Sequence, residues 1–529
     1  MPAPPPKAQT EHLAKAERLM AEGAYEPAHA LCMAVLSVTP EAAGAWFLLG
    51  VLAADHDNPG KAAELFGRAA ALDLTDARAP AHLARCLMTL NRRDEALAHA
   101  QAAEARRPAD ADTLGILGGV FRRAGLQDRA IRLFEAAVAL APEQASYACH
   151  LAAARQVTGD LAGAEAAYAR ALDLDGTLYQ AWSARVQLRL QTSEANFLAE
   201  LEAQFADAGA DGRLHLGHAL AKTHEDLGNP ATALDWLIKA KAAKGRQVGY
   251  DPRADADLFA AAQATYPDRL VRPGKGPSDR PIFLVGLPGT GTSLVTRILS
   301  SHPEVSSVGE HAGFGQILQR MAGSPVAFGV DEATLEAASQ LDLGKAGTIY
   351  LRSQAAMVPG QGVFVDRGPL NVFYAGLIHR ALPNARIIGL RRHPMDACLA
   401  SFRRLFAAGT SEYDFAYDLA HTGVYYAGFD RLIAHWRTVL PADRFTELAY
   451  EDLVSDPVGQ TRRMLDFCGL DFDPRALAFH ENTAPAAKSS SGQGPIAISA
   501  SSIGRWRRYG PGLAPLRAAL EANGIAISD

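Results

Sequence analysis

Three short stretches carry residues that could do chemistry. The first is the turn Gly286-Leu287-Pro288-Gly289-Thr290-Gly291-Thr292-Ser293, which follows the apolar run Pro281-Ile282-Phe283-Leu284-Val285. Leu294, Val295, Ile298 and Leu299 continue at helical spacing, so the order reads as strand, turn, helix. Such a turn aims backbone N–H groups and a helix N-terminus at an anion. It nearly spells the nucleoside-triphosphate loop, but Thr292 stands where the lysine belongs, which argues against a P-loop kinase. The second stretch is Leu390-Arg391-Arg392-His393-Pro394-Met395-Asp396, a strand ending in two arginines. The third is Phe364-Val365-Asp366-Arg367-Gly368-Pro369-Leu370-Asn371, a strand ending in Asp-Arg.

The elements that must position these groups alternate along the second half of the chain. Candidate strands are 282–286, 363–366, 386–390 and 445–450, with helices between them. This pattern predicts an α/β, P-loop-like domain with a central parallel sheet covered on both faces. Ligands in such folds sit at the carboxyl ends of the strands, where the phosphate turn is expected.

The first half is built differently. Pro40, Leu74, Pro108, Pro142 and Gly176 recur 34 residues apart. Small residues recur in phase at Ala28, Ala62, Ala96, Ala130 and Ala164, and again at Ala16, Gly50, Ala84, Gly118 and Ala152. Larger side chains, Phe66, Phe134 and Tyr168, follow three of the first set by four. The pattern resembles the tetratricopeptide (TPR) repeat, an all-α solenoid in which small residues let antiparallel helices approach and a larger one fills the gap. The expected organisation is a disordered tail over 1–8, TPR repeats over 9–178, degenerate helical repeats over 179–266, a breaker-rich linker over 267–279 and the α/β domain over 280–529.

Bulk composition is that of an ordinary soluble protein, 48% hydrophobic and 21% charged. The net charge of −6 supplies no global field toward nucleic acid or anionic membrane, so any anion site is local. Five scattered cysteines without a CxxC pair read as reduced structural thiols. The N-terminus lacks a basic region followed by an apolar stretch, and no apolar run spans a bilayer, so a cytoplasmic location is expected.

Together the phosphate turn, the paired arginines and the Asp-Arg strand end resemble the sulfotransferases that use 3′-phosphoadenosine 5′-phosphosulfate (PAPS). The likeness covers about 279–510, and is nearest to bacterial TPR-linked members and more distant to protein-tyrosine sulfotransferases. Asn384-Ala385-Arg386-Ile387-Ile388 and Tyr450-Glu451-Asp452-Leu453-Val454 add to it. The resemblance implies a donor with two anionic ends. Pro288, Gly289, Thr290, Gly291, Thr292 and Ser293 would hold the 5′ end, and Arg392 the 3′-phosphate as a charged fork. Glu310, in Ser306-Ser307-Val308-Gly309-Glu310-His311, matches the glutamate base of the tyrosine sulfotransferases, ahead of His311 and His302. Arg505, in Gly504-Arg505-Trp506-Arg507-Arg508, matches the closing segment, with the preceding 484–502 loop as a lid. No metal is implied.

Two positions depart from the family pattern. The basic residue after the proline of the phosphate turn is Gly289 here, and the charge it lends the leaving oxygen would fall to Arg367. The serine expected eight residues after Arg392 is Ala400, with Ser401 next to it as a displaced candidate. The expected function is sulfuryl transfer from PAPS to a hydroxyl of an acceptor, with a protein or peptide held by the TPR array as one candidate. The alternative is a degenerate, non-catalytic nucleotide-binding scaffold.

Overall fold

The computed structural model describes residues 6–90, 92–268, 280–309, 313–324, 329–355, 363–406, 411–481 and 500–528. They fall into two compact units, Met1–Arg189 and Leu190–Asp529.

The first unit is a run of antiparallel helix pairs, beginning with Pro6–Ala21 and Tyr25–Val38. The first of these helices starts inside the segment read as a tail. The repeat logic is visible in the packing. Ala28, Ala62, Ala96, Ala130 and Ala164 are all fully buried. A Cβ placed on Gly50 would sit 2.7 Å from the Phe66 ring, and one on Gly118 would sit 2.7 Å from the Phe134 ring. Both contacts are inside van der Waals separation, so the small residue and the aromatic are two halves of one fit. The TPR-like solenoid expected from the period is the observed fold.

The second unit opens with four helices, Leu198–Asp207, Ala210–Asp226, Pro230–Val248 and Pro252–Ala264. Five parallel strands follow: β1 (Ile282–Val285), β2 (Ser306–Gly309), β3 (Phe364–Asp366), β4 (Arg386–Arg391) and β5 (Phe445–Ala449), in spatial order β2-β3-β1-β4-β5. β1 is central, and its side chains alternate between two cores. Phe283 and Val285 join Tyr350, Phe373 and Trp436 on one face, while Ile282 and Leu284 join Val295, Ile298 and Leu465 on the other. Strand β2 was not among the expected strands. Ser306-Ser307-Val308-Gly309 is short and polar, as an edge strand can be, so it lacks the apolar run that marks its neighbours.

Lys241, on the helix Pro230–Val248, is fully buried. Its ammonium donates to the carbonyls of Ala416 at 2.8 Å and Arg404 at 3.1 Å, and lies over the rings of Phe402, Tyr417 and Phe406. Burial lowers its pKa to about 7. Among the described residues no helix is long and apolar enough to cross a membrane.

Candidate active site

Three adjacent strand ends carry the chemistry-bearing groups. The phosphate turn leaves β1, Arg367 follows β3, and Arg391 ends β4 with Arg392 next to it. The turn is possible because Gly289 (φ +89°) and Gly291 (φ +104°) occupy left-handed backbone that other residues rarely adopt. A Cβ on Gly291 would also meet the Tyr450 ring at 2.9 Å. Gly291 then precedes the helix Thr292–Ser300, whose first N–H groups have no partner within the helix.

Two hydroxyls read as ligands brace this turn. The Thr290 hydroxyl donates to Leu287 O at 2.8 Å, and the fully buried Ser401 hydroxyl donates to Pro288 O at 2.8 Å. Ser401 lies on the helix Pro394–Phe402, so that helix is tied to the turn from the side. Its neighbour Ala400 packs against Gly289: a Cβ at 289 would lie 2.4 Å from the Ala400 Cβ. The two departures from the family pattern are therefore one contact.

Arg367 is 6% exposed and its Nη1 donates to Ser293 Oγ at 2.7 Å, which puts a guanidinium on the first turn of the phosphate helix. The fully buried Asp366 fixes this strand end. Its carboxylate accepts from Tyr350 Oη at 2.6 Å and, at 2.8 Å each, from Asn371 Nδ2 and the Gly368 N–H.

Arg392 bridges the turn and the closing segment. Nη1 donates to Gly289 O and Nη2 to Ser502 O, both at 2.6 Å, and the guanidinium sits 4.7 Å from the Tyr450 ring centroid. Tyr450 Oη is 2.8 Å from Ser502 Oγ. The closing segment is held further by Asp396, which accepts from the N–H groups of Gly504 at 2.6 Å and Trp506 at 3.0 Å. Arg505 pairs with Glu225 at 2.9 Å. The Nε–H groups of Arg392 and Arg505 are buried without a hydrogen-bond partner among the described residues. Glu310 and residues 484–499 of the proposed lid lie outside the described residues.

Sequence reading missed Asp396, Tyr450 and Glu225 as organising residues. Asp396 and Tyr450 stood inside stretches already singled out, and a carboxylate in the first turn of a helix after Pro394 was the available signal for the former. Glu225 had none, since its partners are 178 to 284 residues away.

Residues 281–474 match the Sulfotransferase family. An uncharacterized protein of Aquifex aeolicus (strain VF5) is 31% identical over 312 residues, which is 58% of this chain and 41% of that protein. Heparan sulfate glucosamine 3-O-sulfotransferase 6 of Mus musculus is 25% identical over 269 residues, 46% of this chain and 70% of the relative. The chain thus spans less than half the length of the bacterial relative. Among solved structures, MamA is 23% identical with a TM-score of 0.26, covering 30% of this chain and 94% of that one. A thermophilic TPR protein of Thermus thermophilus, TTC0263, is 21% identical with a TM-score of 0.29, covering 34% of this chain and 98% of that one. The turn after β1 and the ends of β3 and β4 all lie within residues 281–474, the stretch that matches the Sulfotransferase family, and this stretch follows an N-terminal array of TPR-like helices in the sequence.

Proposed function

We propose that the chain transfers a sulfuryl group from PAPS to an acceptor hydroxyl. The observation that carries this reading is the Arg367–Ser293 hydrogen bond, which sets a cation against the phosphate turn where the family's basic residue is replaced by Gly289. The residues present suit a donor with two anionic ends. The turn and the start of the helix Thr292–Ser300 offer N–H groups to the phosphosulfate, and Arg392 and Arg505 keep buried Nε–H groups unspent for the 3′-phosphate.

In the proposed reaction the acceptor oxygen forms a bond to sulfur as the sulfur–oxygen bond to the donor's 5′-phosphate breaks. The acceptor's proton passes to Glu310, a role that rests on the resemblance. Arg367 offsets negative charge growing on the leaving oxygen, and positioning plus charge stabilisation supply most of the rate. The TPR-like array would recruit a protein or peptide, either as acceptor or as partner. The mouse relative is named for a glucosamine acceptor, so sugar hydroxyls belong beside tyrosyl peptides in an acceptor screen.

Calorimetry with adenosine 3′,5′-bisphosphate tests the donor half. Saturable binding is expected; a folded chain that gives no heat would overturn the reading. Turnover of PAPS with an acceptor then separates an enzyme from a scaffold.

A further inference from the structure

Glu225 belongs to the helix Ala210–Asp226, upstream of the matched domain, yet three donors from the transferase side converge on it. Arg403 donates from Nε to Oε1 at 2.7 Å and from Nη2 to Oε2. Arg505 Nη2 donates to Oε2 at 2.9 Å, and Tyr509 Oη donates to Oε1. Burial pushes the Glu225 carboxyl up, but the charge of Arg403, the hydrogen bonds from Arg403 and Tyr509 and the charge of Arg505 outweigh it, so it titrates below the usual carboxylate range.

The partners are not arbitrary. Arg403 caps the helix Pro394–Phe402, whose Ser401 holds Pro288 and whose Ala400 packs on Gly289. Arg505 and Tyr509 lie in the closing segment, which Asp396 and Arg392 also hold, at Gly504, Trp506 and Ser502. One carboxylate therefore ties the helix that braces the phosphate turn to the segment that Arg392 links to that turn. Two guanidiniums on one carboxylate leave a net positive charge there, and a salt-bridged arginine keeps donors in a fixed plane.

We infer that Glu225 is a positioning residue for the donor's 3′-phosphate, acting through Arg505 and Arg403, and that the helix Ala210–Asp226 is part of the transferase site. This rests on the PAPS reading above. The test measures affinity for adenosine 3′,5′-bisphosphate and for adenosine 5′-monophosphate in the full 529-residue chain, and takes their ratio. In Glu225→Ala the preference for the 3′-phosphorylated nucleotide should fall by about tenfold or more, the scale of a lost charge-assisted contact, with 5′-monophosphate binding unchanged within about twofold. Glu225→Gln should lose part of the preference, and adding Arg505→Gln to Glu225→Ala should cost little more, because the two act as a unit. If Glu225→Ala fails to fold, Tyr509→Phe, which removes one donor to the Glu225 carboxylate and no residue assigned to the phosphate, carries the same test. An unchanged or raised ratio in folded variants, or an equal loss for both nucleotides, would overturn the inference. A wild-type chain that binds neither nucleotide would instead overturn the PAPS reading beneath it.

Discussion

Gly289 and Ala400 touch: a side chain at 289 would begin 2.4 Å from the Ala400 Cβ. Restoring the family's basic residue therefore meets two obstacles, the contact and the positive φ of +89°. Gly289→Arg alone is expected to cost about 1–3 kcal/mol of stability and to leave turnover no higher than wild type. Combined with Ala400→Gly, which clears the contact, the loss should shrink. Thermal denaturation and PAPS turnover of the single and double variants check this, and a fully stable Gly289→Arg would contradict the geometry.

Arg367 should carry the charge that Gly289 does not. Arg367→Gln is expected to lower kcat by about a hundredfold or more with little change in KM for the donor, the mark of a contact made mainly in the transition state. Arg367→Lys should retain part of the rate. A Gln variant with wild-type kcat would remove Arg367 from the reaction.

Asp396 anchors the closing segment through two N–H groups on one buried carboxylate. Asp396→Asn keeps the shape and loses the charge, at an expected cost of about 1–3 kcal/mol. Amide hydrogen exchange at Gly504 and Trp506 should accelerate ahead of the β-strands. Exchange that stays unchanged there would show that Arg392 and Glu225 hold the segment without it.

Lys241 gives the second unit a pH signature. Its folded pKa of about 7 lies below the ordinary lysine value of 10.5, so between these limits the unfolded chain binds the extra proton. Stability should accordingly rise as pH goes from about 7 toward 9.5, with a slope of at most about 1.4 kcal/mol per pH unit. Lys241→Met should flatten that rise. Denaturant unfolding across this range is the measurement, and an identical slope in the variant would assign the effect to other groups.

The repeat array was legible because its signal is local and redundant: small residues in phase every 34 positions, buried throughout at the Ala28 phase, with Gly50 and Gly118 each meeting an aromatic at short range. β1, β3 and β4 were legible because interior parallel strands buried on both faces read as apolar runs. The brace made by Ser401 was not, since sequence shows a serine one position from where a ligand is expected, and only packing shows its hydroxyl on Pro288. The Glu225 cluster was illegible for the same reason in stronger form. Its members are three charged residues and a tyrosine from three separate segments, and nothing local distinguishes a part-buried convergence from a solvated face.

The turn after β1, Arg367 after β3 and Arg392 after β4 hang from neighbouring strands whose spacing is set by main-chain ladders. Their mutual distances are set first by those ladders, and the helix Pro394–Phe402 adds a second tie through Ser401. Intervening segments other than the helix Pro394–Phe402, whose Ser401 and Ala400 hold the turn, can lengthen, shorten or change composition without displacing these three groups. On the proposed sulfuryl-transfer reading, new acceptor preferences would arise by remodelling those excursions, with the sheet as a fixed chassis beneath them.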